Sequence, residues 1–455
     1  MSSSESRAEL GEPPALTHRT VLGIAVPVML SNVSTPLLGI VDTAIIGRYP
    51  DPAYLGAVAV GGLIFTFLFW GFGFLRMGTT GLTAQAAGAG DTDEIAASLA
   101  RALAIAATAG ALLILLQWPI REIAFTSVGA SADVERLARG YFNVRIWSAP
   151  AALANYALLG WYIGLARTDR GLILQLLLNL TNIVLDTLFV LGLHWDVRGV
   201  ALGTLLAEYL AAAAGLAMAL RHLRSLGAHA PRRRVLAPAR LKRALLVNAD
   251  IMIRSLALIA VLCWFVARGA RAGNVVLAAN AILMQFIAVA AFFLDGLAFA
   301  AEALVGRALG AAQRAALEGA ARATTVWAVA VATLITLLFA LCGPNVIDLL
   351  TVDPAVRAAA RHYLPWAAGA PLLGVWAFQL DGIFIGATRT ADMRNAMLFS
   401  LAVFLVAWRL LTPWGNSGLW GAFYVHYVAR ALSLLYFYPR LLRSVPESRR
   451  RPATA

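Results

Sequence analysis

The chain is predicted to be an all-α polytopic membrane protein, with twelve transmembrane helices in two pseudo-symmetric six-helix lobes. Three observations predict this. The residues are 60% hydrophobic and only 13% charged, with mean hydropathy +0.75, whereas soluble chains carry roughly 25% charged residues. Twelve stretches reach the length of about 20 apolar residues that crosses a bilayer as a helix. Motifs in the first half return in the second at one fixed offset of 222 residues.

The first six stretches are 20–47, 55–82, 95–118, 139–165, 169–192 and 199–220, and they define an N-terminal lobe over 20–220. The next six are 244–267, 275–302, 321–342, 360–386, 395–412 and 417–439, within a C-terminal lobe over 244–440. Residues 221–243 are a basic linker, and 1–19 and 441–455 are tails. Several stretches exceed a minimal span, which predicts tilt or extension past the lipid. Basic residues concentrate in the tails and in the even-numbered loops, above all in RHLRSLGAHAPRRRVLAPARLKR. Positive charge retains loops in the cytoplasm, so both termini and the linker are expected there. The polar N-terminal MSSSESRAELGEPPALTHRT lacks the pattern of a signal peptide, which leaves the first span as the insertion signal.

Composition also excludes function classes. The net charge is +13, yet Lys242 is the only lysine and follows Leu241, so no Gly-Lys phosphate loop exists. No HExxH, no GxSxG and no His/Cys/Glu cluster with metal-site spacing occurs. An enzyme, a metal site and nucleic-acid binding are therefore not expected. Cys263 and Cys342 lie in apolar segments and read as buried, inert thiols.

The repeat is explicit. QAAGAGD (85–91) returns as RALGAAQ (307–313), and GWYIGLART (160–168) as GIFIGATRT (382–390). Six helices separate the copies, so both have one orientation, as in transporters built from parallel repeats. The same offset places Asp42 on Trp264 and Asp186 on Trp408. The paired acids thus belong to the N-terminal lobe alone.

Those acids interrupt VPVMLSNVSTPLLGIVDTAIIG and LILQLLLNLTNIVLDTLFVLGL. A carboxylate at bilayer depth costs roughly 2.5–3.5 kcal/mol on insertion scales and by default marks an ion or substrate pathway. Asn179, Asn182 and Asp186 share one helix face, as do Ser31, Thr35 and Asp42. Two such polar stripes can face each other, with Thr204 adding a hydroxyl. Two acids in one cavity titrate as a coupled pair, so Asp42 and Asp186 are the expected proton carriers. Pro27 and Pro36 each remove a ladder hydrogen bond from span one and mark a candidate hinge. In the C-terminal lobe, Asp250, Arg254, Asp295 and Asp381 are secondary ion or substrate candidates, with an ion pair from Arg254 to Asp381 or Asp295 expected. His426 reads as packed and hydrogen-bonded, and Glu302 and Arg307 as able to snorkel to the interface.

The chain resembles the MATE (multidrug and toxic compound extrusion) transporters, in the DinF-like branch. The resemblance covers about 18–440 and rests on IAVPVMLSNVSTPLLGIVDTAIIGR, TAQAAGAGD and GLARTDRGLILQLLLNLTNIVLD. It implies export of amphipathic or cationic compounds across a bacterial inner membrane by a monomer in contact with membrane lipids. The drive would be a proton gradient without a cofactor, with sodium as the alternative coupling ion. It also implies functional roles for Asp42, Asn182, Asp186 and Thr204, and links Pro27 to bending of span one. A lipid-precursor flippase of the wider superfamily is the rival within that resemblance; a channel or receptor is the rival outside it.

Overall fold

The computed structural model describes residues 16–49 and 51–445, except for the side chains of residues 37 and 38. Most of the two tails, 1–15 and 446–455, lies outside the described residues. Within them, helices form the whole regular structure.

The first unit comprises mainly residues 30–83 and 91–244. Helix α1 (His18–Ile46) runs without interruption through Pro27 and Pro36. Its residues up to Met29 group with the second unit and those from Leu30 with the first. Span two is two helices, α2 (Pro52–Trp70) and α3 (Phe74–Gly88), broken at Gly71–Gly73. Asp51 starts α2 by accepting the Ala53 amide at 2.8 Å, with Pro52 at the first helical position. Helix α4 (Thr92–Leu115) is capped by Asp91. Helix α5 (Gln117–Val128) ends on Gly129, whose φ of 65° supplies the left-handed turn.

Span four is α6 (Ala132–Arg145), a 3-10 turn (Ile146–Ser148) ahead of Pro150, and α7 (Ala149–Gly164). Span five is α8 (Thr168–Asp186) followed directly by a π-helical segment (Thr187–Gly192). Helix α9 (Asp196–Ser225) completes the lobe, and the short α10 (Arg232–Val235) lies in the linker. That linker is tied down within its own unit: Arg234 pairs with Asp91 at 2.6 Å, Arg240 with Glu94, and the His229 amide donates to Asp93.

Among the described residues, the second unit comprises mainly 245–445 with 16–29 and 84–90. Its helices are α11 (Pro238–Arg271), α12 (Asn274–Gly310), α13 (Arg314–Leu350), α14 (Pro354–Gly386), α15 (Thr390–Leu411) and α16 (Gly415–Arg443). The GIFIG motif now has a physical reason. A Cβ on Gly382 would strike the Ala298 carbonyl and one on Gly386 the Glu302 carbonyl, so α12 and α14 touch backbone to backbone. The matching Gly160 meets the Arg76 carbonyl in the first unit.

Among the described residues, ten helical segments are long and apolar enough to cross a membrane. Helices α15 and α16 merge into one of these, and the break before Pro150 hides span four, which accounts for all twelve crossings. Two expectations fail. Cys263 and Cys342 are exposed on outward helix faces, because an apolar outward face needs no burial in protein when lipid is the solvent. Glu302 and Arg307 do not snorkel: both are buried, at 1% and 7% exposure, because α12 runs on through them against α14.

Candidate functional site

The N-terminal polar stripes meet inside the first unit. The Asn179 amide donates to Ser34 Oγ at 3.0 Å and to its carbonyl at 3.2 Å, while Gln175 donates to Asn179 Oδ1 at 2.9 Å. One turn on, the Asn182 amide donates to Thr204 Oγ1 at 3.0 Å, and that hydroxyl donates to the Val200 carbonyl. Two turns on from Asn179, the Asp186 and Asp42 carboxyls lie within hydrogen-bonding reach of each other. Asp186 and Asn182 are fully buried. Both Asp186 oxygens and Asp42 Oδ1 find no donor among the described residues. Two ionised carboxylates only accept hydrogen bonds, so neither can satisfy the other.

Local structure explains how an acid fits there. Gly203 on α9 faces Asp186, and a Cβ at 203 would fall on Asp186 Oδ1. The π segment begins directly after Asp186; such widened turns are frequent at functional sites.

Ser31 and Thr35 do not join the network. Ser31 is buried and lends its carbonyl to Ser34 and Thr35 hydroxyls, and Thr35 is exposed. Ser34 is the residue on span one that reaches Asn179. The helical stripe through 31, 35 and 42 allowed either choice.

Three further residues were not singled out by sequence. Arg145 pairs with Glu208 at 2.7 Å, both nearly buried, and also contacts Ser148. The Arg145 charge is felt by both aspartates, and the Tyr141 hydroxyl feels the charge of both. Arg145 rests over Phe65 and Phe69, 5.5 Å from each ring centre. Glu208 lies one turn from Thr204 on α9, so buried charge within a span was the available signal. A cavity of about 330 Å³ nearby is lined by Ile40, Val41, Ala44, Ile45, Arg48, Thr187 and Leu191, and by neither aspartate.

The second unit arranges its charges differently. Asp381 accepts from both Arg254 and Arg430, all three buried. Asp250 pairs instead with Arg394 at 2.6 Å and accepts from Thr390 at 3.0 Å. Asp295 is near enough for Arg254 and Tyr427 to feel its charge. His426 is fully buried, with Nδ1 3.4 Å from the Ser400 carbonyl and Nε2 without a partner among the described residues. Among those residues no cluster of three His, Cys, Asp or Glu could hold a metal ion.

The sequence and the helical fold place the chain in a known class. The MatE family profile matches residues 27–188 and 252–408, and the chain belongs to that family. It is 43% identical over 423 residues, 92% of each chain, to DNA damage-inducible protein F of Escherichia coli strain K12. Its fold matches a solved outward-facing multidrug resistance MATE family transporter of the MOP superfamily, with TM-score 0.84 and 19% identity over 97% of this chain and 99% of that one. A MATE crystal structure in the bent conformation matches with TM-score 0.85 and 20% identity, over 97% and 98%.

Proposed function

We propose that this chain is a secondary active transporter of a bacterial inner membrane, exporting amphipathic, cationic compounds in exchange for protons carried by Asp42 and Asp186. One observation carries the reading: among the described residues, two adjacent carboxyls in the first unit leave Asp42 Oδ1 and both Asp186 oxygens without a donor. One proton between them turns an acceptor into a donor and relieves like-charge repulsion. When that proton leaves, the net negative charge attracts a cationic substrate, so proton and substrate compete. Asn182, held by Thr204, can donate or accept, and so accommodates either state of Asp186. The loss or gain of the shared proton changes what α1 is bonded to at Asp42, and Pro27 and Pro36 are the positions where α1 lacks ladder bonds. Protonation therefore favours a bent form of α1. Among the structural neighbours are MATE crystal structures in a bent and in a straight conformation.

Energetics set a scale. One charge crossing 100 mV contributes about 2.3 kcal/mol, and one pH unit about 1.4 kcal/mol. A proton exchanged for a neutral compound then supports more than a hundredfold gradient, roughly. Exchange for a monovalent cation is electroneutral and supports about tenfold per pH unit. Sodium coupling is the weaker reading for the second unit, because two guanidinium groups hold Asp381.

The test is ethidium efflux from proteoliposomes under an imposed pH or sodium gradient. A pH gradient is expected to drive it, and Asp42→Asn to abolish it with the protein still folded. Unchanged efflux in that variant refutes the proposal.

A further inference from the structure

The 222-residue repeat places Trp264 and Trp408 where the first unit has Asp42 and Asp186. In the second unit these two tryptophans are also neighbours, with ring centres 5.2 Å apart and planes at 79°. One pair of helix positions thus meets in both lobes, with opposite chemistry. The acids meet as two carboxyls to which no other described residue donates. The indoles meet around a cation: the Arg268 guanidinium lies 4.4 Å from the Trp264 ring centre and 4.3 Å from that of Trp408. Arg268, one turn beyond Trp264 on α11, has no carboxylate partner among the described residues. Among the described residues, the two rings hold it. Leu401, Leu405, Ala407 and Leu411 pack with the tryptophans against the core. Trp264 Nε1 is buried and has no acceptor among the described residues, so one polar group of the cage is unused.

We propose that Trp264 and Trp408 form a second binding site, for a lipophilic aromatic or quaternary cation, which the tethered Arg268 guanidinium occupies until such a ligand displaces it. Ring quadrupoles attract any cation placed over their faces. Arg268 is only half-buried, and its long side chain can withdraw toward water or headgroups. A ligand with aromatic rings gains the apolar contact that a guanidinium gives up. An acidic site would admit protons and metal cations as well. An aromatic cage selects cations with apolar surface.

This inference rests on the reading of the chain as a carrier of lipophilic cations, and its test is separable from the efflux test. Binding of radiolabelled tetraphenylphosphonium to the purified full-length protein is measured by equilibrium dialysis. Arg268→Gln removes the competitor and is expected to tighten binding by about fivefold. The double variant Trp264→Leu/Trp408→Leu is expected to weaken it by about tenfold, while Trp264→Phe/Trp408→Phe, which keeps two rings, stays within about threefold of wild type. If the leucine variant does not fold, the glutamine and phenylalanine variants carry the comparison. Arg268→Gln binding as wild type, or no binding by any variant, overturns the site. Ethidium efflux that ignores Asp42 overturns proton coupling and leaves the dialysis result standing.

Discussion

Asp186 occupies its place because residue 203 has no side chain. Its carboxyl fills the space a Cβ would take, next to the one turn of span five that widens into a π segment. Gly203→Ala must push the carboxyl away from Asp42 or move α9. The expected result is a loss of stability of about 1–3 kcal/mol together with loss of proton release when a lipophilic cation is added to purified protein. Unchanged proton release would show that the two carboxyls need not be adjacent. At this scale the sequence named Asp42, Asp186, Asn179, Asn182 and Thr204, because polar residues in an apolar run stand out. It could not choose Ser34 over Ser31 and Thr35, since all lie within a little more than one turn and only the neighbouring helix decides which is faced. Nor did it offer Arg145 and Glu208 as partners: a pair 63 positions apart is joined only by packing.

Among the elements, α5 and the start of α6 show charge organising a connection between spans. Glu122 receives two hydrogen bonds from Arg139, at 2.7 and 2.8 Å, and two from Arg121, at 3.0 and 3.2 Å. Arg139 first and Arg121 second pull its carboxyl from the ordinary 4.5 down to about 2. A lowered folded value means the contribution is complete above the ordinary value and is lost as pH falls through the folded one. Protection of the amides of 117–128 against exchange, relative to the intrinsic rate at each pH, is therefore expected to be full at about pH 5 and to fall progressively between about pH 4.5 and about pH 2. Loss of protection already above about pH 5, or none by about pH 2, would deny these contacts their role. Helix lengths were legible as apolar runs, whereas the break at Gly71–Gly73 and the helix α5 were not. Such a break leaves the hydropathy of the run unchanged.

Across the whole chain, the repeat reaches down to backbone detail. Ala166 and Thr388 both adopt positive φ, 54° and 52°, at equivalent positions, as do Gly90 and Ala312, at 68° and 54°. Gly88 faces the Arg307 carbonyl and Gly310 the Gln85 carbonyl, reciprocal contacts within one unit. Gln85 further donates to the Gly386 carbonyl at 3.0 Å and to Thr388 at 3.1 Å. Gly88→Val forces backbone against backbone and is expected to lower the melting temperature sharply, with a loss of about 3 kcal/mol or more. A melting temperature within about 2 °C of wild type would mean the junction yields.

Hydropathy and repetition, both properties of the linear chain, sufficed to predict a twelve-helix membrane bundle in two related halves and to mark two misplaced acids. Lipid solvates every outward face and forces each span to satisfy its own backbone, so length and apolarity alone reveal the helices. Which polar side chains touch depends on helix rotation and on close approach at glycines. Burial of Asp186 under Gly203, the Arg145–Glu208 pair and the capture of Arg268 between two tryptophans therefore appear only once the helices are packed.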